Sequence, residues 1–347
     1  MTADLFADGP EALLPALRAP SGTGAPDLPA QTLSPMRELG AYEALWCRPG
    51  SGLRAIAALL RDHPGSLPSD FVPPAEGRRC AQLALAAIRV AGIRHFGVRV
   101  QGTGEYPPRL HDAAHPVALL YFRGRWALAD TPSVAIVGTR APSAQGRRRA
   151  ARLARLCVAD GLTVVSGLAR GIDTVAHGTA LAEGGHTIAV LGTPITASYP
   201  PENRQLQRRI AAEQLLISQV PILHHAALAF PARRRFFPER NATISALSGA
   251  TIIVEAGETS GTLIQARHAL RQGRPLFILD SCFRRPGLTW PARFAQQGAI
   301  RVSDYGEIRQ HLAARRGGSA AAQLLGSAAA PGCGICAAAD SAALRAD

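Results

Sequence analysis

The hydrophobic pattern divides the chain into regions of different period. Between Ser34 and Ile93 apolar positions recur at three- and four-residue intervals, as in LRAIAALLRDH (Leu53 to His63) and RRCAQLALAAIRVAG (Arg78 to Gly92). That spacing gives each helix one apolar stripe. A proline-bounded loop, Pro64 to Pro74, separates the two. From Ser133 the pattern changes to short continuous apolar runs alternating with helical stretches. The runs are SVAIVGTR (Ser133 to Arg140), LTVVSGLA (Leu162 to Ala169), HTIAVLG (His186 to Gly192), LLISQV (Leu215 to Val220), TIIVEAG (Thr251 to Gly257), PLFILD (Pro275 to Asp280) and AIRV (Ala299 to Val302). VALLYF, within a proline-rich connector from Thr103 to Gly124, reads as one more strand.

Helices are expected between these runs. One is capped by Ser143 and runs to Asp160, and a polar, basic one spans Glu202 to Glu213. A short one covers Glu239 to Ser248, and SGTLIQARHALRQG (Ser260 to Gly273) is closed by its glycine. Buried strands alternating with helices predict an α/β fold, a mostly parallel sheet with helices on both faces, plus a small helical N-terminal domain. The expected organisation is residues 1–32 disordered or loosely packed, 33–102 a helical domain, 103–314 the sheet domain and 315–347 a low-complexity tail. In such sheets the crossovers are right-handed and ligands sit beyond the carboxyl ends of the strands.

The most informative stretch is SGLARGIDTVAH (Ser166 to His177), where a strand opens through glycines into a helix. Glycines let an anion approach the backbone, and a helix N-terminus offers free N–H groups. The sheet rule gathers several strand ends at the same rim. These are Arg140, then Ser166, Gly167 and Asp173, then Tyr199-Pro200 and Asn203. Phe237, Arg240 and Asn241 follow, then Glu255, Ser260 and Gly261. The set offers arginine for phosphate and an aromatic ring for stacking on a base.

Charge narrows the anion class. The formal net charge is +13, and no lysine occurs among the 38 basic residues. A P-loop and a Schiff-base lysine are therefore excluded. Thr131 to Leu312 holds 22 arginines against 11 acids, and the remainder 16 against 14. A GC-rich genome accounts for Arg in place of Lys but not for this local excess. A mononucleotide needs few cations, whereas a nucleic-acid backbone repays many.

Three function classes fit: a non-enzymatic single-stranded DNA binder, a nucleotide-binding or nucleotide-hydrolysing enzyme, and a nucleotide sensor whose N-terminal helices signal to a partner. The arginine excess favours the first. Hydrolysis would draw on Asp173 and Glu255, which read better as a helix brace and a hydrogen-bonding group. His177 reads as a core histidine. Arg147 to Arg149 lie on a helix and cannot all face one groove, while Arg233 to Arg235 stand beside Phe237.

Cys47, Cys80, Cys157, Cys282, Cys333 and Cys336 show no secreted disulfide spacing, so a reducing cytoplasm is expected. The Cys333/Cys336 pair has no second ligand pair in view for zinc. Neither a membrane-spanning run nor an N-terminal leader is apparent. No cofactor and no metal are expected.

YPPRL (Tyr106 to Leu110), VAIVGTR, SGLARGIDTVAH, GGHTIAVLG (Gly184 to Gly192), YPPEN (Tyr199 to Asn203), FPERN with SALS (Phe237 to Ser248), VEAGETSGTLIQA (Val254 to Ala266) and Gly298-Ala299 occur in the order and spacing of one family. Over roughly Tyr106 to Val302 the chain resembles the DNA-processing protein A family, also called Smf or DprA. The resemblance implies an extended Rossmann-like fold, a homodimer, binding of single-stranded DNA, and loading of a RecA-type recombinase during uptake of transforming DNA. It implies a pocket of Arg140, Gly167, Phe237, Arg240 and Asn241. Arg234 is a further phosphate contact, and Ser166, Arg170, Ser260 and Gly261 complete the DNA-binding set. The chain departs from the family pattern at Ala242, at Gln265-Ala266, at Leu279-Asp280-Ser281, and in an alanine-rich tail where many members carry a winged helix.

Overall fold

In the computed structural model the described residues are 34–314. The expected N-terminal and C-terminal low-complexity segments, with Cys333 and Cys336, lie outside them. In chain order the elements are α1 (Pro35–Cys47), α2 (Leu53–Asp62), α3 (Pro74–Val90), β1 (Gly97–Val100), β2 (Leu119–Gly124), β3 (Ser133–Val137), α4 (Ala144–Ala159), β4 (Thr163–Ser166), α5 (Ile172–Ala182), β5 (Thr187–Leu191), α6 (Arg204–Glu213), β6 (Leu215–Ser218), α7 (Ile222–Ala227), α8 (Phe230–Arg233), α9 (Phe236–Leu247), β7 (Thr251–Ile253), α10 (Thr262–Arg271), β8 (Leu276–Leu279), α11 (Asp280–Phe283), α12 (Trp290–Gln296) and β9 (Ile300–Val302).

The helical start follows local rules. Ser34 accepts the backbone N–H of Arg37 at 3.4 Å, and Pro35 occupies the first helical position, where no N–H is needed. α1 crosses α3 closely because Gly40 has no side chain. A Cβ there would lie 2.1 Å from the Gly77 carbonyl oxygen. Leu39, Tyr42, Leu45 and Trp46 of α1 and Ala84, Leu85 and Ile88 of α3 are buried in the same apolar cluster as Val165, Ile217 and Leu276 from the sheet. The N-terminal helices and the sheet thus share one core.

The nine described strands form a single sheet in the order β1-β2-β6-β5-β4-β3-β7-β8-β9. Pairings from β6 through β9 are parallel, and the β1–β2 and β2–β6 pairings are antiparallel. The β3, β4, β5 and β7 runs are wholly buried, as expected of strands covered on both faces. Successive connections step from β3 toward β6 in one direction and from β7 toward β9 in the other. The direction reverses between β3 and β7, and the crevice at that switch point is where such sheets bind ligands. The extended Rossmann-like architecture expected from the sequence is present.

Three details differ from the sequence reading. β1 was not anticipated, and it pairs with β2 across the expected boundary at residue 102. Helix α9 begins at Phe236, three residues before the expected Glu239. Pro238 sits in its first turn, where its missing N–H has no intrahelical partner to lose. The short helices α7, α8, α11 and α12 lie in stretches whose prolines hid them.

A buried carboxylate joins the N-terminal helices to the sheet. Glu43 of α1 is 0% exposed. It accepts the Tyr121 hydroxyl of β2 and the backbone N–H groups of Ile222 (2.7 Å) and Leu223 (2.9 Å) at the start of α7. Burial pushes its carboxyl above the usual range. Glu43→Ala strands two backbone donors and a phenol in the core. It is expected to cost about 2–4 kcal/mol of stability in urea unfolding, and a loss under about 1 kcal/mol would contradict this joint.

Candidate functional site

A cleft of about 850 Å³ opens at the switch point. The turn after β4, Gly167-Leu168-Ala169-Arg170-Gly171, meets it through Ala169. Leu168 holds φ +58°, a left-handed conformation that a branched side chain adopts at a cost of about 1–2 kcal/mol. Four side chains hold this turn, among them Thr174, whose hydroxyl donates to the Ala169 carbonyl at 2.8 Å. Asp173, in the first turn of α5, accepts the N–H groups of Gly167 (3.2 Å) and Ala169 (3.3 Å) on either side of Leu168. Asn203 donates to the carbonyls of Leu168 (2.9 Å) and Ala169 (3.3 Å) and to the Thr174 hydroxyl (2.9 Å). Arg240 of α9 donates to the carbonyls of Gly167 (2.7 Å) and Val190.

Glycine is required where these groups meet. A Cβ at Gly167 would lie 2.6 Å from the Arg240 guanidinium, and one at Gly171 (φ +84°) 2.4 Å from the Thr139 carbonyl oxygen. Arg240 is only 5% exposed. Burial lowers its pKa to about 10, with the Asp173 charge opposing that fall. Burial likewise pushes Asp173 up, while Arg240 and the two turn N–H groups draw it back. The two are charge partners beneath the cleft.

The wall is aromatic and cationic. Phe237 lies over Gly192, where a Cβ would come within 2.4 Å of the ring. Its centroid is 5.4 Å from that of Tyr199, and the Arg140 guanidinium stands 5.9 Å from it. Arg140 and Arg234 are exposed and Phe237 is half-buried. Phe230, at the start of α8, is 70% exposed on the cleft lip. Arg233 shapes that lip by donating to the carbonyls of Leu228 (2.9 Å) and Ala226 (3.2 Å). On the opposite side, Asn241 donates to the Gly261 carbonyl at 3.3 Å, and Ser260 accepts the Thr262 N–H at 3.2 Å. The cleft lining holds four arginines and one carboxylate, Asp173. His225 also lines it, with burial and Arg233 lowering its pKa to about 4, so the ring is neutral at pH 7.

Arg140, Gly167, Arg234, Phe237, Arg240, Asn241, Ser260 and Gly261 converge on one place, but not all reach the surface. Ser166 is fully buried and donates to the Ile136 carbonyl at 2.7 Å, so its hydroxyl braces β4 against β3. Arg240 lines the cleft from below and Gly167 lies behind it, its carbonyl accepting from the guanidinium. Arg170 is exposed but points to Glu202 (3.7 Å), outside the cleft lining. Sequence reasoning missed Phe230 altogether. The only signal for it was an aromatic set beside the Arg233 to Arg235 triplet.

The two carboxylates weighed for hydrolysis are both engaged. Asp173 holds the turn. Glu255 accepts the Ser143 hydroxyl (2.8 Å) and N–H, securing the α4 cap, and pairs with Arg285 at 3.2 Å. His177 is fully buried against Thr187 (2.6 Å), and burial lowers its pKa to about 3. No group of three or more His, Cys, Asp or Glu residues placed to hold a metal occurs among the described residues. No described helix is long and apolar enough to cross a membrane.

A family model described as DNA recombination-mediator protein A matches residues 98–313. The chain is 41% identical over 181 residues to Protein Smf of Synechocystis, a match covering 51% of this chain and 44% of that one. It is 36% identical over 208 residues to Protein Smf of Escherichia coli, covering 60% and 54%. It is 34% identical over 232 residues to the DNA processing protein DprA of Bacillus subtilis, covering 67% and 75%. The match thus spans about half the length of the first two relatives. Among solved structures, DNA processing protein A of Streptococcus pneumoniae superposes with a TM-score of 0.61 at 26% identity, covering 80% of this chain and 98% of that one. DNA processing protein A of Helicobacter pylori, studied for its single-stranded DNA binding mode, gives 0.52 at 28%, covering 63% and 96%.

The burial of Arg240 separates two arginines that look alike in sequence. Arg240→Ala leaves the Gly167 and Val190 carbonyls and the Asp173 carboxylate without their cation. It is expected to cost about 3 kcal/mol or more in urea unfolding. Arg140→Ala is expected to stay within about 0.5 kcal/mol of the parent. Equal stabilities for the two variants would contradict this division.

Proposed function

The chain belongs to the DNA recombination-mediator protein A family, and from that premise we propose that its switch-point cleft holds single-stranded DNA. The observation that carries this reading is the pairing of Phe237 with an exposed Arg140 on a wall where arginines outnumber carboxylates. A base unstacked from its neighbours lies on the Phe237 ring, with Tyr199 closing the same aromatic surface. Arg140 and Arg234 take the flanking phosphates, and bidentate geometry suits the planar guanidinium. A duplex has no free base faces to offer the ring, so single strands are preferred. Stacking reads no base edge, so binding is tolerant of sequence and falls steeply with salt.

The protein then acts as a mediator rather than as an enzyme, shielding the strand and delivering it to a RecA-type recombinase, as a homodimer in the cytoplasm during DNA uptake. Three things support this. The site offers backbone-binding cations, its carboxylates are occupied in holding structure, and the Helicobacter relative was studied for single-strand binding.

Arg140→Ala and Phe237→Ala should each weaken oligo-dT binding by about 1–3 kcal/mol in a fluorescence anisotropy titration, with folding intact. Parental affinity in both folded variants would remove the cleft as the DNA site.

A further inference from the structure

Helix α4 carries five arginines and no acid over Ala144 to Ala159. Its buried side is Gly146, Ala150, Leu153, Ala154 and Cys157. Arg148, Arg152 and Arg155 follow at i, i+4 and i+7, which places them on one stripe of the opposite, solvent face. Arg148 and Arg152 are exposed and pair with no carboxylate among the described residues. Arg155 is half-neutralised by Glu183 at 2.8 Å. Like charges four residues apart on a helix destabilise it, and cations in the N-terminal half oppose the helix dipole. A GC-rich genome explains the residue type, but not a stripe that lacks interleaved acids on an otherwise amphipathic helix.

The helix that carries the stripe begins close to the cleft in sequence, after Arg140 of the lining. α4 starts at the carboxyl end of β3, four residues after Arg140, and Glu255 of the switch point secures its Ser143 cap. Arg147 curls back to donate to the Pro142 carbonyl at 3.0 Å, on the segment that joins Arg140 to the helix. The helix is about 24 Å long at 1.5 Å per residue.

We propose that the outer face of α4 is a second nucleic-acid contact, a phosphate track that receives the single strand as it leaves the cleft. The inference rests on the cleft reading. It adds that the footprint is longer than the cleft and that part of the affinity is carried by backbone charge alone, since the stripe has no aromatic ring for stacking.

The test is the double variant Arg148→Gln/Arg152→Gln, which keeps good helix formers, titrated with oligo-dT of about 6 and about 20 nucleotides over a salt series. The short strand should bind as to the parent, which also shows the variant folded. The long strand should bind about 5–30-fold more weakly at low salt. The slope of log K against log salt for the long strand should shrink by about 1.4, from two lost phosphate contacts at about 0.7 each. A long strand bound with parental affinity and slope overturns the track alone. Equal losses on both lengths place these arginines inside the cleft and overturn the separate track. A parent protein that binds neither length overturns the cleft reading together with the track.

Discussion

A buried guanidinium organises this site. Arg240 sits under the cleft with 5% of its surface exposed, which costs several kcal/mol of desolvation before any partner is counted. The cost is offset by two carbonyls from neighbouring strand ends, Gly167 after β4 and Val190 in β5, and by the Asp173 charge. Asp173 uses its carboxylate on the N–H groups flanking Leu168, and Asn203 takes the carbonyls of the same turn. Donors and acceptors of one strained turn are thus satisfied by the side chains of Asp173, Thr174, Asn203 and Arg240. Remove the arginine, and a left-handed Leu168 has less to hold it there.

That arrangement leaves the cleft with two kinds of arginine. One kind is structural, its donors turned inward to backbone carbonyls, as with Arg240 and Arg233. The other is free to meet a ligand, as with Arg140 and Arg234. A braced floor under exposed cations is a sensible division, because a phosphate contact gains little if the backbone beneath it yields. Phe237 belongs to both sets. Its helix is held by Arg240, its ring rests on Gly192, and its outer face looks into the cleft.

Much of this was legible in the sequence. The strands of the parallel core were long enough apolar runs to be read directly, and the rule that ligands lie beyond carboxyl ends brought Arg140, Phe237 and Ser260 to one rim. Ser166 was misplaced because a serine at a strand end looks the same whether it faces solvent or the Ile136 carbonyl. The burial of Arg240 was not legible for a similar reason: one helical residue after Glu239, nothing local says which side it faces. Its helix also starts at Phe236, a turn earlier than Pro238 suggested. β1 was missed because GVRV alternates too briefly to register, and its pairing with β2 is a tertiary fact. Phe230 had only its place beside the Arg233 to Arg235 triplet to mark it, since exposure of an aromatic depends on what fails to cover it.

The most direct test of the central claim is binding of fluorescent oligo-dT and of its duplex counterpart by the parent protein across a salt series. The account predicts tight single-strand binding that weakens steeply as salt rises, with the duplex bound far less well. Equal binding of both forms would show that backbone charge alone is read and that the Phe237 surface plays no part. Binding of neither would contradict the single-strand reading of the cleft.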